Sequence, residues 1–203
     1  MKSHNNWYHH GNLREALIRA AIAQAAEDGL ETLTIRRVAD RTGVTPGAAY
    51  HHFASKQHLL VAAAEVAFAE LLSTMRMRQS DIDDPVEQLV ALGRGYIEHC
   101  IAQPAHFRIM VGRHMRELEH LSELAPSGRR CLDLLSETSE RCSASIGRAI
   151  PAVQLARATW AQLVGVVSLI VEREIAADPT ADDVRELVDT AMAILRGGIL
   201  AAR

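Results

Sequence analysis

The chain has 203 residues, 48% of them hydrophobic and only 4% aromatic, with a formal charge of -3. That is enough for one or two domains and a real core, and a chain rich in Ala and Leu and poor in aromatics favours helices over strands. The longest uncharged stretch, Ala158–Val171, is 14 residues, short of the ~18 that a membrane span needs. The N-terminus MKSHNNWYHH has no apolar core of a secretory signal, and three widely spaced cysteines (Cys100, Cys131, Cys142) fit a reducing cytoplasm without a disulfide framework.

In chain order, Leu13, Leu17, Ala20, Ala21 and Ala25 recur at helical steps, predicting a first helix from about Asn12 to Asp28 that stops at Gly29. Thr34 caps a second to about Thr42, with Ile35, Val38 and Ala39 inward, and Gly43 ends it. Thr45 caps a third, brief helix with Pro46 at its first position, reaching His52. Ser55 caps a fourth that runs to about Met77. Asp84, Pro85 and Glu87 open a fifth, and Pro104 starts a sixth. Three more helices are predicted, from about Arg129 to Ile150, Ala152 to Ala177 and Thr180 to Ala202. No segment alternates like a strand. The fold class is all-α with about nine helices, divided into residues 1–60 and 61–203.

The charge is uneven. Residues 1–60 hold seven Lys/Arg against five Asp/Glu and six of the ten histidines, while residues 61–203 hold fifteen against twenty. A basic head on an acidic body suggests that the head meets a polyanion. Within the head, the second and third helices with their Gly turn match a helix-turn-helix, whose second helix must enter the DNA major groove. Small residues at Thr45-Pro46-Gly47-Ala48-Ala49 let its backbone approach bases, and Tyr50, His51 and His52 supply hydrogen-bonding groups. Phosphates would be met by the helix starts at Thr34 and Thr45 and by Lys56. A generic helical hairpin with a Gly turn fits the spacing alone equally well.

The stretch Leu33–Leu60, LTIRRVADRTGVTPGAAYHHFASKQHLL, resembles the DNA-binding signature of the TetR family of transcriptional regulators. The matching positions are Thr34, Val38-Ala39, Gly43-Val44-Thr45, Tyr50, His52, Phe53, Lys56 and Leu59-Leu60; Thr42 departs from the family's usual Ala. The resemblance implies an N-terminal three-helix DNA-binding domain and a larger helical domain for ligand sensing and dimerisation. It assigns Arg36 to a guanine edge, Thr34 and Thr45 to phosphates, Pro46, Gly47, Ala48 and His51 to the base-facing surface, Tyr50 and His52 to the DNA backbone, and Lys56 to the start of the fourth helix. Phe53 and the ring face of Tyr50 are expected in the small core, and Arg37 and Arg41 are read as solvated. Trp7–Ile18 resembles the opening of one TetR subgroup. The arm with Lys2 would lie along the minor groove or phosphates, or Trp7 and Tyr8 would cover the first helix.

Between Thr159 and Val171 the eighth helix is apolar nearly all round, which predicts burial on every side. Paired with the last helix, it would form a homodimer interface through Leu163, Val167, Val184, Leu187, Val188, Ala191, Ile194 and Leu195. Trp160–Gly165 resembles the Trp-x-x-x-His-Gly signature of one TetR C-terminal subgroup, with Val164 where the His would stand. The expected pocket lining is Tyr96, Cys100, Phe107, Met110, Met115, Leu135 and Trp160, which suits a small apolar or mixed effector. No Cys-x-x-Cys, His-x-x-x-His, Walker loop or GxSxG occurs, so no metal, no cofactor and no enzyme are expected. The implied function is a ligand-responsive repressor binding a pseudo-palindromic DNA operator as a homodimer. An activator, or a regulator without a ligand, with the same head remains the alternative.

Overall fold

A computed structural model describes residues 10–111, 126–172 and 180–202. These contain nine helices: α1 (His10–Asp28), α2 (Ile35–Thr42), α3 (Pro46–His52), α4 (Lys56–Gln79), α5 (Pro85–Ala102), α6 (Pro104–Val111), α7 (Pro126–Ser145), α8 (Ala152–Val171) and α9 (Ala181–Leu200). The architecture is all-α, as the composition predicts. The chain clusters into two compact units.

The first unit holds α1, α2, α3, the start of α4 through Ala67, and α6 from Ala105. Its helices are set by local chemistry. Thr34 Oγ1 accepts from the Arg37 N–H and caps α2. Thr45 Oγ1 accepts from the Ala48 N–H, and Pro46 occupies the first turn of α3, where no N–H partner exists to lose. Between them the chain reverses at Gly43 with φ of +70°, and the Val44 N–H closes onto the Ala39 carbonyl at 3.0 Å. α1 packs on α2 and α3. Leu17, Ala21, Ala25, Leu33, Ile35, Val38, Ala39, Ala49 and Phe53 are buried among these segments. Burying each of the larger side chains contributes roughly 1.5–3 kcal/mol.

The second unit runs from Phe68 to Pro104 and from Pro126 onward. α5 is its centre and packs on α7, α8 and α9. Close approach is possible because of Gly93: a Cβ there would stand 3.1 Å from Leu163 Cδ2 on α8 and 3.4 Å from Met192 Sδ on α9. Arg94 pairs with Asp189 at 2.7 Å, and Arg196 pairs with Glu87, so two ion pairs join α5 to α9. Gln162 Nε2 donates to the Ala191 carbonyl at 2.6 Å and joins α8 to α9. α9 opens on a reciprocal cap, in which the Thr180 hydroxyl and the Asp183 carboxylate each satisfy the other's backbone N–H.

The eighth helix departs from expectation. Only Leu155, Thr159, Leu163 and Val167 of α8 are buried, a single stripe at four-residue steps, while Val153 and Leu169 are exposed. Mean hydropathy is as high as 1.3 along α8 and 1.4 along α4, but only 28% of that stretch of α8 is buried, against 56% for α4. The apolar composition of α8 therefore covers one face inside the unit and leaves a second face open.

Gly43 has nothing within 4 Å of where a Cβ would stand, so its cost of replacement is purely backbone. We expect Gly43→Ala to lower stability by about 1 kcal/mol, read as a shift in the urea midpoint with helical circular dichroism preserved. An unchanged midpoint would show that the turn does not depend on left-handed backbone.

Candidate functional site

α3 presents the surface that the sequence leads one to expect. Thr45, Gly47, Tyr50 and His51 are exposed, Pro46, Ala48 and His52 are half-exposed, and only Ala49 is buried. The first residues of the helix, Pro46, Gly47 and Ala48, are themselves small. The His51 and His52 rings meet edge to face with centroids 5.7 Å apart. Tyr50 is 53% exposed, so its ring does not join the core as expected. In a seven-residue helix the inward arc is filled by Ala49 and then by Phe53, which is buried with the Arg14 guanidinium 5.3 Å from its ring centroid.

The cations of the head are mostly engaged within it. Arg37 bonds Asp28 at 2.6 Å and also donates to the Thr32 carbonyl. Arg41 grips Glu27 through two parallel bonds, one of them 2.6 Å long. The hydrogen bonds from Arg41 hold the Glu27 carboxyl below the usual carboxylate range. Arg37 and Arg41 are thus not merely solvated; they tie α2 to the end of α1. Lys56 donates to the Leu30 carbonyl at 2.8 Å, bracing the start of α4 against the α1–α2 connection. An ammonium has three donors, so two remain for a phosphate. Arg36, by contrast, is exposed and has no ion pair or hydrogen bond among the described residues. Thr34 and Thr45 each accept a backbone N–H and keep a hydroxyl proton to donate outward.

The expected pocket residues separate. Tyr96, Cys100 and Leu135 are buried in the second unit, and Trp160, half-exposed, meets Tyr96 edge to face at 5.5 Å between centroids. Phe107 and Met110 are buried on α6 in the first unit, and Met115 lies outside the described residues. A cavity of about 860 Å³ opens between α7 and α8. Leu135 and Trp160 line it together with Leu132, Val153, Arg141 and Arg157, which sequence reading did not single out. Val153, Arg157 and Trp160 follow one another at steps of four and three, a helical spacing that puts them on one side of α8, while Leu132 and Arg141 on α7 carry no such mark. Behind this wall, Ser139 Oγ and Thr159 Oγ1 are buried without a hydrogen-bond partner among the described residues. Burial pushes the Cys100 thiol up to about 12 and raises the neighbouring Tyr96 phenol well above its ordinary value.

Of the expected dimer residues, Leu163, Val167, Val188, Ala191 and Leu195 point into the unit's own core. Val184 and Leu187 are half-exposed, and Ile194 is 65% exposed. Ile194 on α9 and Leu169 on α8 are exposed, and at Gly197 and Gly198 an added Cβ would meet nothing within 4 Å, whereas the exposed Val153 lines the groove.

Residues 17–63 match the family of bacterial regulatory proteins, tetR family, and residues 89–195 match the tetracyclin repressor-like C-terminal domain. The HTH-type transcriptional repressor KstR2 of Mycobacterium tuberculosis is 36% identical over 83 residues, covering 39% of this chain and 40% of that protein. The tetracycline repressor protein class C of Escherichia coli is 50% identical over 52 residues, covering 26% of this chain and 24% of that protein. The chain thus spans well under half the length of these relatives. A protein of unknown function from Rhodococcus sp. RHA1 superposes with a TM-score of 0.77 at 25% identity, over 96% of this chain and 98% of that one. The structure of the ketosteroid transcriptional regulator KstR2 of M. tuberculosis superposes with a TM-score of 0.66 at 21% identity, over 92% and 94%.

All three cysteines are buried. A buried, protonated thiol is a poor nucleophile. We expect none of them to react with an aromatic disulfide reagent in the native protein within minutes, and all three to react once it is unfolded. Fast labelling of a native thiol would contradict the packing of α5 on α7.

Proposed function

Because the chain belongs to the TetR family, we propose that it is a ligand-responsive repressor that binds a pseudo-palindromic operator as a homodimer. Residues 1–60 would read DNA in the cytoplasm, and residues 61–203 would sense an effector and dimerise. The observation that carries this reading is the exposed, small-residue start of α3, set behind two capped helix N-termini. With Pro46, Gly47 and Ala48 leading, the helix backbone can approach base edges. The Thr34 and Thr45 hydroxyls, the Lys56 ammonium, Tyr50 and His52 would meet phosphates. Arg36 is the free guanidinium for a guanine O6/N7 pair. Relatives described as repressors support the sign of regulation.

The groove between α7 and α8 is the proposed effector site, with Leu132, Leu135, Val153 and Trp160 as its apolar floor and Arg141 and Arg157 at its rim. A small apolar or mixed molecule fits that lining. Two structural neighbours are a ketosteroid transcriptional regulator and a fatty acid degradation regulator, in keeping with such a molecule. The open faces of α8 and α9 would pair with their symmetry mates in a four-helix interface.

Selection of bound fragments from genomic DNA with the purified protein tests the reading as a whole. It should recover an inverted repeat whose half-site centres lie about 34–36 Å apart, and deleting the gene should raise expression beside it. On that operator, Arg36→Ala should cost about 1–3 kcal/mol and relax preference at one base pair; equal loss on every operator variant would refute the guanine contact. Ile194→Lys should shift the protein toward monomer in light scattering and weaken operator binding. A dimer unaffected by that charge would move the interface off this face.

A further inference from the structure

α3 contains no lysine or arginine; its only ionisable cations are His51 and His52. The cations on the elements around it are largely engaged. On α1, Arg14 lies over Phe53 and Arg19 sits 3.7 Å from Glu15. On α2, Arg37 and Arg41 are paired with Asp28 and Glu27, which leaves Arg36. At the start of α4, Lys56 is bonded to a carbonyl, and His58 Nδ1 meets Ser55 Oγ at 2.9 Å. The remaining acids of the head, Glu31 and Asp40, are exposed. Among the described residues no carboxylate stands within ion-pair distance of either imidazole, and each ring's aromatic neighbour is the other. A surface meant for a polyanion thus owes most of its adjustable positive charge to two adjacent histidines, His51 exposed and His52 half-exposed.

We infer that DNA binding by this protein is coupled to proton uptake at His51 and His52, so that affinity rises as pH falls through the imidazole range. The inference rests on α3 being the DNA-reading helix. A neutral imidazole offers one donor and one lone pair, whereas an imidazolium offers two donors, and phosphate oxygens and guanine O6/N7 are acceptors. Phosphates nearby favour the charged form, so protons are held more tightly in the complex than in the free protein. The added affinity is complete at low pH and is lost as pH rises through the titration of the complex.

The test is fluorescence anisotropy of the full chain with two labelled duplexes, one of mixed sequence and one recovered by genomic selection, between about pH 6 and pH 8 at fixed salt. We expect Kd to rise about ten- to a hundredfold across that span, and the salt dependence to steepen by about one to two counterions at the acid end. Replacing both residues by Gln (H51Q with H52Q) should flatten the profile. Replacing both by Arg should give a flat profile that, on the mixed duplex, matches the acid-limit affinity of the wild type. A flat wild-type profile with binding intact, or a Gln pair that keeps the slope, would overturn the proton linkage while leaving DNA reading in place. Failure to bind either duplex at any pH would overturn the DNA-reading assignment itself, and the linkage with it.

Discussion

The left-handed reversal at Gly43 is the constraint on which the head depends. α2 has eight residues and α3 seven, and neither is long enough to persist alone in water. They hold because the turn brings Val38 and Ala39 against Ala49 and Phe53 while its own N–H groups are satisfied by α2 carbonyls. The geometry also fixes what faces outward. With Ala49 turned in, the flanking residues Ala48 and Tyr50 lie to either side and Gly47 and His51 on the far face. A different φ at Gly43 would re-aim α3 and bury the small residues that allow a close approach.

Electrostatics then shape what the head can offer a polyanion. Two guanidiniums act as struts between α1 and α2, and the ammonium of Lys56 braces a third junction. Stiffness is gained at the expense of free charge. What the described residues leave for DNA in the proposed reading is the unpaired Arg36 guanidinium, the two spare donors of Lys56, two hydroxyls at helix starts, the first-turn N–H groups with the helix dipole behind them, and the imidazoles. Hydroxyls and N–H groups place a protein on the phosphate backbone without adding long-range attraction. Small side chains read few base edges. In the proposed DNA reading, recognition built in this way would draw part of its selectivity from the shape of the duplex.

Most of the fold was legible because its signals are local. Thr34, Thr45, Asp84 and Thr180 cap the helices they precede, and Pro46 and Pro85 stand in the first turns. Boundaries slipped where a local signal was misjudged. α7 ends at Ser145 rather than near Ile150, because Gly147 and Arg148 both adopt positive φ. What stayed hidden was tertiary. The partners of Arg37, Arg41 and Lys56 lie 9, 14 and 26 residues away, and no pattern in sequence announces them. Composition could say that α8 wants burial all round, but not that this chain supplies only one face of it. The groove escaped notice for the same reason: Leu132 and Val153 are ordinary exposed positions on their own helices and form a wall only when α7 and α8 are side by side.

That division of α8 gives a physical route between the proposed functions of the second unit. Its inner stripe is pressed on α5 at Gly93, where there is no slack for independent movement. Ion pairs lock α9 to the same helix, and Gln162 ties α9 to α8. α5, α8 and α9 are therefore expected to shift together, while α7 packs on both α5 and α8 and the groove opens along part of the α7–α8 contact. A molecule filling the groove would prefer one spacing of α7 and α8 over another. In the proposed dimer, any resulting tilt of α8 is carried directly to the open face that meets the second subunit. Coupling of about 1–3 kcal/mol between effector and operator requires only that preference, because a ligand shifts a population by its difference in affinity for the two states. The hydroxyls of Ser139 and Thr159, on the two helices that frame the groove, are buried without a hydrogen-bond partner among the described residues, so a spacing that gave them one would regain part of its cost.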